Sequence, residues 1–227
     1  YMTDEVPGVL GLPRRLYVRY FSTDSFPVFP TTGGDSSRTA TYDAGQQALT
    51  YLSLGHLSDL PEHVTLDGRW PQEMAGPDDP IEVLVSQSAA NELGLQVGEQ
   101  YVVYANKVAG FRGQMLAVIT GIWAPNDRNE AYWFTDPYVF DSVLLTTERN
   151  FAAFVTPMLV GDTAVAQWYM QFDDALVRSD TVTPLLERMA RVQTHTATLL
   201  PGTRLEASPA RSLNQYQQKS RQLTVQL

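Results

Sequence analysis

Three histidines and no cysteine limit the chemistry that this chain of 227 residues offers. The histidines are His56, His63 and His195, and no two of them have the four-residue spacing that places zinc ligands on one face of a helix. The lack of cysteine excludes disulfides, thiolate metal sites and cysteine nucleophiles within these residues. The sequence therefore predicts neither a metal site nor a cofactor.

The acidic and serine residues do not match the patterns of common catalytic sites. The pairs Asp78-Asp79 and Asp173-Asp174 stand in expected turns, and neither belongs to a twelve-residue calcium loop with its closing glutamate. No serine stands in a Gly-x-Ser-x-Gly sequence, and Ser86 and Ser88 are better explained as the cap and first turn of a helix. A carboxylate pair assembled in space, as in glycosidases, stays open. Apart from that pair, the residues predict a protein that is not an enzyme.

Composition narrows the class of protein further. Hydrophobic residues make up 44% of the chain and charged residues 18%, which is typical of a globular protein. The net charge of −9 argues against a nucleic-acid surface, since binding phosphates needs clustered lysine and arginine. No run approaches the roughly 20 apolar residues that span a bilayer. The glycine-containing loop 31–37 lacks a following Gly-Lys-Ser/Thr, so we expect a plain hairpin tip there rather than a phosphate site.

Aromatic residues are the remaining candidates for function. Residues 131–140 read AYWFTDPYVF. If they are exposed, Tyr132, Trp133 and Tyr138 would line a patch that binds carbohydrate or peptide; if they are buried, they would belong to the core. Trp70, beside Pro71, is a second candidate contact point. We therefore take Trp70, Tyr132, Trp133 and Tyr138 as a possible contact surface.

The stretch 81–123 predicts a small β-rich module. Its β-branched run 81–85 indicates a strand, Ser86 suits a helix N-cap, and Gly94 suits the left-handed residue that ends a helix over 87–93. Two more strands are expected at 101–104 and 115–123, joined by a hairpin over 106–113. Nothing in this module holds a catalytic group in an obvious pose.

The rest of the chain predicts a mixture of helices and strands. Strands are expected at 16–21, 63–66, 143–146, 164–172 and 203–207, and residues 44–54 suit either a helix or a strand. One helix is expected over 183–199, and another from residue 211 that continues beyond Leu227, as if the segment were cut from a longer protein. The pattern is α+β, with residues 1–78 and 151–227 forming one subdomain and residues 79–150 an inserted β-rich one.

Two short motifs resemble a known family. The first is Gly-Arg-Trp-Pro at 68–71, and the second runs through the β-rich module. The second motif consists of Ser86, Ala90, Leu93, Gly94, Leu95, Val97, Gly98, Glu99, Gly121, Ile122 and Trp123. Over residues 62–123 the chain resembles the extracytoplasmic region of FtsX-like ABC transporter permeases of the MacB type. The phrase around Gly94 and Gly98 also occurs in double-psi barrels and other small β folds.

The resemblance implies a fold and a role. Such domains combine a porter-like α/β subdomain with a small inserted β-rich (Sabre-like) subdomain. They lie between two membrane helices of the permease, on the extracytoplasmic side of the cell membrane. They are not enzymes, and they relay ATP-driven motion to a substrate or partner protein. The implied partners are a second permease subunit, a cytoplasmic ATPase and an extracytoplasmic protein.

Overall fold

A computed structural model of the protein describes residues 1–31, 47–104, 114–159 and 164–225. The expected hairpin at 106–113 and most of the loop 31–37 lie outside these residues. The α-helices are α1 (Glu5–Leu10), α2 (Gln87–Leu93), α3 (Glu148–Asn150), α4 (Val182–Leu199) and α5 (Ala210–Val225). The strands are β1 (Arg14–Thr23), β2 (Phe26–Pro30), β3 (Thr50–Leu57), β4 (Val64–Gly68), β5 (Ile81–Ser86), β6 (Gln100–Tyr104), β7 (Gln114–Pro125), β8 (Val143–Leu145) and β9 (Ala164–Phe172). This mixture confirms the predicted α+β class.

Six of the strands close into a barrel. Their order is β2-β6-β7-β5-β8-β3, and β3 pairs again with β2. The ring is mixed, because β5 runs parallel to β7 and β3 parallel to β8, while the other neighbours are antiparallel. Closure leaves none of these six strands with a fully unpaired edge. Outside the ring, β1 pairs with β3 and β4 pairs with β7.

Alternating apolar residues fill the barrel. Successive side chains of a strand point to opposite faces, so every second residue of each strand faces inward. Those that are no more than 2% exposed include Val28, Leu54, Ile81, Val83, Val103 and Ile119. Each fully buried side chain of this size contributes about 1.5–3 kcal/mol to folding. The interior is therefore a packed core that holds the six strands in register.

The predicted corner after β5 is confirmed. Ser86 caps α2, with its hydroxyl oxygen accepting the backbone N–H of Ala89 at 3.1 Å. Gly94 ends the helix with a φ of 72°, in the left-handed region. Leu95 then returns to the core, and its N–H donates to the carbonyl of Ala90.

Contacts divide the chain into two compact units, with different bounds from those expected. One unit comprises residues 1–17 and 170–227, and the other residues 18–169. We call the first the terminal unit and the second the barrel unit. β1 carries the chain into the barrel unit and β9 carries it out. The expected arrangement, in which residues 79–150 are inserted between residues 1–78 and 151–227, also places one central segment between two outer ones. Its bounds stay a prediction.

The terminal unit joins both ends of the described chain. Leu10 of α1 packs with Leu185 of α4, and Tyr1 meets His195 edge to face with ring centroids 4.6 Å apart. Leu213 of α5 packs against the same apolar cluster. No helix in the described residues is long and apolar enough to cross a membrane.

The expected strand at 203–207 is wrong. Pro201 and Gly202 form a turn in which the N–H of Thr203 donates to the carbonyl of Leu200 at 3.1 Å. Gly202 has a φ of 92°, which suits the third position of a type II turn. The residues that follow lie between α4 and α5, are mostly exposed and form no regular strand.

Candidate functional site

The Gly-Arg-Trp-Pro motif leaves β4 at a tight approach to β7. Gly68 pairs with Gly121, and the next residue, Arg69, donates its backbone N–H to Thr120 at 2.8 Å. Gly68 has a φ of 105°, and a Cβ built there would lie 2.4 Å from the Thr120 carbonyl oxygen. Only glycine fits this position without displacing the backbone.

The second motif hydrogen-bonds to β7 at Ile119, one residue before the Thr120 carbonyl that the first motif uses. The N–H of Gly98 donates to Ile119 at 2.7 Å, and the N–H of Ile119 donates to Glu99 at 3.0 Å. β4 pairs with residues 121–125 of β7 and β6 with residues 114–118, so the two motifs meet where one partner strand replaces the other. Residues separated by about thirty positions in the sequence therefore form one local structure.

A single carboxylate braces the loop that follows β4. Both oxygens of Glu82, on β5, accept the guanidinium of Arg69, and one of them also accepts the backbone N–H of Gln72 at 2.7 Å. Hydrogen bonds from Arg69 lower the pKa of Glu82 below its ordinary value against the opposing effect of partial burial, and the Gln72 N–H lowers it further. We call residues 69–72 the Trp70 loop.

Asn150 fixes the chain immediately after the Trp70 loop. Its side chain is fully buried, and its amide oxygen accepts the N–H of Met74 at 2.8 Å. Its amide nitrogen donates to the Gln72 carbonyl at 2.9 Å and to the hydroxyl of Thr146 at 3.2 Å. Every polar group of the Asn150 side chain is thus used. The residues 69–74 are held at both ends, and Trp70 between them is 37% exposed.

The expected patch of three aromatic rings is not formed, because two of its members are buried. Tyr132 is 2% exposed and Trp133 is 6% exposed. Tyr132 donates its hydroxyl to the Ser58 carbonyl at 2.6 Å, and Trp133 donates its indole N–H to the backbone carbonyl of Asp127 at 3.1 Å. Both polar groups find partners inside the protein, as buried tyrosine and tryptophan require. These two residues are therefore core residues, which corrects the interpretation that they line a binding surface.

Tyr138 remains at the surface. It is 54% exposed, and the guanidinium of Arg128 lies over its ring, 4.6 Å from the centroid. Tyr138 lies in the turn that begins at Asp136, whose carboxylate accepts the backbone N–H of Tyr138. Its ring is exposed, whereas the rings of Tyr132 and Trp133 are buried. Of the four predicted contact residues, the structure exposes Trp70 and Tyr138 and buries Tyr132 and Trp133.

The histidines and carboxylates do not assemble a metal site in the part of the chain that the structure describes. No group of three or more histidine, aspartate or glutamate side chains there is placed to hold an ion. His63 stacks on Tyr132 with ring centroids 3.6 Å apart, and its Nδ1 lies 2.7 Å from a Glu130 oxygen. His195 is the ring beside Tyr1. Each of these histidines has a packing role.

His56 should make stability depend on pH. Its Nδ1 lies 3.1 Å from the Thr146 carbonyl, so that nitrogen carries the proton, while Nε2 is buried and has no hydrogen-bond partner among the described residues. Burial lowers the pKa of His56, and Arg19 lowers it further. The Thr146 carbonyl and the carboxylates of Glu148 and Asp59 raise this pKa, but by less. Between its folded and unfolded pKa values, His56 therefore binds fewer protons in the folded protein than in the unfolded chain.

We expect the free energy of unfolding to be highest above the unfolded histidine pKa, about 6.5, and to fall as the pH drops below it. The contribution of His56 cannot exceed about 1.4 kcal/mol per pH unit. Urea denaturation at pH 7.5, 6.5 and 5.5 measures it. His56→Gln should flatten the dependence, because it removes the buried imidazole. Equal slopes for His56→Gln and the unmodified protein would contradict this assignment.

Comparisons with known proteins do not show which family the chain belongs to. No protein-family model and no curated protein matches the chain. Among solved structures, it is similar to a domain of a provisionally named permease protein from Porphyromonas gingivalis. The two share 12% identity, with a TM-score of 0.37 over 82% of this chain and 68% of that chain. The similarity to a permease domain is distant, and at this level it carries no conclusion about function.

Proposed function

We propose that the chain is the extracytoplasmic domain of an ABC transporter permease of the MacB/FtsX-like class. The observation that carries the proposal is the junction on β7. The two sequence motifs that resemble this family, at 68–71 and 86–99, meet there at Ile119 and Thr120 through direct backbone hydrogen bonds. Each motif bonds to β7 at neighbouring residues, so the two stretches that carry the resemblance lie side by side on one strand.

The terminal unit supports the same proposal. A domain placed between two successive membrane helices must receive the chain from one helix and return it to the next. Residues 1–17 and 170–227 form one compact unit, in which α1 and α5 both contact the apolar cluster that includes Leu185. Residues of α1 and the first turn of α5 therefore share one apolar cluster.

In this role the domain does no chemistry of its own. It would couple ATP-driven motion of the membrane part to a substrate or partner protein outside the membrane. A second permease subunit and a cytoplasmic ATPase would be its partners in the assembled transporter, and it would need no cofactor. The carbohydrate- or peptide-binding alternative is not proposed, because it required Tyr132 and Trp133 at the surface.

Cysteine labelling of the full-length protein in its native membrane tests the location. Because these 227 residues contain no cysteine, a single introduced thiol reports one position, once cysteines elsewhere in the reading frame are replaced by serine. Tyr138→Cys, at an exposed position, should react with a membrane-impermeant maleimide applied to intact cells. Val83→Cys, inside the barrel, should react only after denaturation.

Labelling of Tyr138→Cys only after cell lysis would refute an extracytoplasmic location. The same thiol also tests coupling when it carries an environment-sensitive fluorophore. Its emission should change when ATP and vanadate trap the transporter, and should not change when the partner ATPase lacks its catalytic glutamate. An emission that ignores ATP would remove the coupling role while leaving the location intact.

A further inference from the structure

β9 is an edge strand that has one neighbouring strand in the described part of the chain. It pairs with β1, and no described loop hydrogen-bonds to its other edge through the backbone. None of its side chains from Val165 to Phe172 is buried, whereas each of the other eight strands has at least one buried residue. An open edge presents a row of backbone N–H and C=O groups with which a further strand can pair.

β9 lacks the features that usually protect such an edge. Its nine residues, AVAQWYMQF, contain no charge, no proline and no glycine. By contrast β4, whose one partner among the described strands is β7, is five residues long and carries the exposed Asp67. Natural edge strands are commonly short or charged, because either property keeps a strand of another molecule from adding to them. β9 is therefore suited to receive such a strand.

The contact between the ends of β9 and β1 shows which residues of β9 offer their backbone groups outward. The N–H of Asp173, just after β9, donates to the carbonyl of Pro13, just before β1, at 2.8 Å. Backbone groups of successive residues in a strand point to alternate edges. Those of Phe172, and of every second residue before it, therefore face away from β1. Among them are Ala166, Trp168 and Met170.

We propose that β9 pairs with the β9 strand of a second copy of this chain, antiparallel and across a two-fold axis. When the two strands overlap along their full length, the axis passes beside Trp168. Every outward-facing backbone group of β9 then meets its counterpart in the other copy. Main-chain hydrogen bonds of this kind supply the affinity when a strand is added to an open sheet edge.

The composition of β9 decides the occupant. Across the axis, every side chain of β9 lies opposite an uncharged one. The pairs include Trp168 with itself, Val165 with Gln171, Ala166 with Met170 and Gln167 with Tyr169. No like charges meet along the strand, although each copy carries a net charge of −9. A charged segment of another protein would find no opposite charge on β9, whereas a second β9 matches it along its whole length.

Disulfide cross-linking of the 227-residue chain tests the pairing, because these residues include no cysteine. Val165 and Gln171 are both exposed, and in the proposed dimer they lie opposite each other. Their Cα atoms would be about 4.5 Å apart, which suits a disulfide. Identical positions of the two copies would be about 20 Å apart. On oxidation, a mixture of the Val165→Cys and Gln171→Cys proteins should therefore form a covalent dimer, whereas either protein alone should not.

Sedimentation equilibrium measures the dimer without a cross-link. Ala166→Pro removes an outward-facing N–H and leaves the groups that face β1 unchanged, so its urea unfolding midpoint should stay close to that of the unmodified chain. It should weaken dimerisation about tenfold or more, because each dimer loses two hydrogen bonds. Ala166→Ser, which keeps the backbone donor, should dimerise within a factor of about two. Dimerisation should strengthen as salt is raised, because salt screens the repulsion between two negative copies.

Three results would overturn the pairing through β9. They are a mixture of the two cysteine proteins that does not cross-link, single-cysteine proteins that cross-link as readily as the mixture, and a dimer that Ala166→Pro leaves intact. The inference rests on the proposed function only in naming the surface by which a second permease subunit would pair. A monomeric chain whose Tyr138→Cys thiol is labelled on intact cells would lose the β9 pairing and keep the permease role.

Discussion

Gly68→Ala is expected to lower the free energy of unfolding by about 3 kcal/mol. Two effects add at this position. The φ of 105° lies in a region that residues with a Cβ rarely adopt, and the new Cβ would lie 2.4 Å from the carbonyl oxygen of Thr120. That oxygen cannot move without breaking its hydrogen bond to the N–H of Arg69. The substitution should therefore strain the junction of β4 with β7.

Gly94→Ala is the matched control for the effect of φ alone. Gly94 also has a positive φ, 72°, but a Cβ there would meet no other heavy atom within 4 Å. Its substitution should cost only about 1 kcal/mol. Urea denaturation of both variants gives the comparison, provided that the slope with denaturant is unchanged. Equal costs for the two variants would show that the close approach to Thr120 is not what fixes glycine at residue 68.

Local signals made the corner at 86–98 predictable. The N-cap at Ser86 and the left-handed residue at Gly94 act within a few residues of themselves, so their neighbours in the sequence determine them. The same holds for α4, because the apolar residues that predict it recur with helical spacing within the segment itself. The α+β class followed from these elements.

Closure of the barrel was not predictable, because β2 carries two prolines. Pro27 and Pro30 argue against a strand with neighbours on both sides. The structure accommodates them because Pro27 pairs only with β3 and Pro30 only with β6. Without β2, the strands found in the sequence remain an open sheet, and the ring that encloses the core cannot be inferred.

Burial of the aromatic segment was equally beyond the sequence. Residues 131–140 have no helical or strand periodicity that would assign Tyr132 and Trp133 to an inner face. Their burial depends on partners far along the chain, such as Ser58 for the hydroxyl of Tyr132. At the candidate site, Trp70 was identified from its motif, but the Glu82 brace and the role of Asn150 were missed. No local pattern announces either residue, since each acts on backbone or side chains of another element.

Asn150→Ala is expected to have the largest effect on stability of the substitutions considered, a loss of about 3–5 kcal/mol. The substitution removes three hydrogen bonds from a fully buried side chain. It also leaves the N–H of Met74 and the carbonyl of Gln72 without these partners, and each unsatisfied buried group costs about 1–3 kcal/mol. Urea denaturation measures the loss, and hydrogen exchange at the Met74 amide locates it.

Asn129→Ala, at an exposed position, is the matched control and should change stability by less than about 0.5 kcal/mol.

Asn150→Asp separates the two functions of the amide. When protonated, it keeps an oxygen that accepts from Met74 and has one O–H donor in place of the two amide N–H donors that bond to Gln72 and Thr146. Its cost at a pH where the new carboxyl is protonated should therefore fall between those of the unmodified protein and Asn150→Ala. Because Asn150 holds the chain that follows Trp70, its loss should also broaden the nuclear magnetic resonance signal of the Trp70 indole while those of Trp123 and Trp133 stay sharp. A destabilised Asn150→Ala protein with an unchanged Trp70 signal would show that Asn150 supports the fold alone, and that Glu82 suffices to hold the loop.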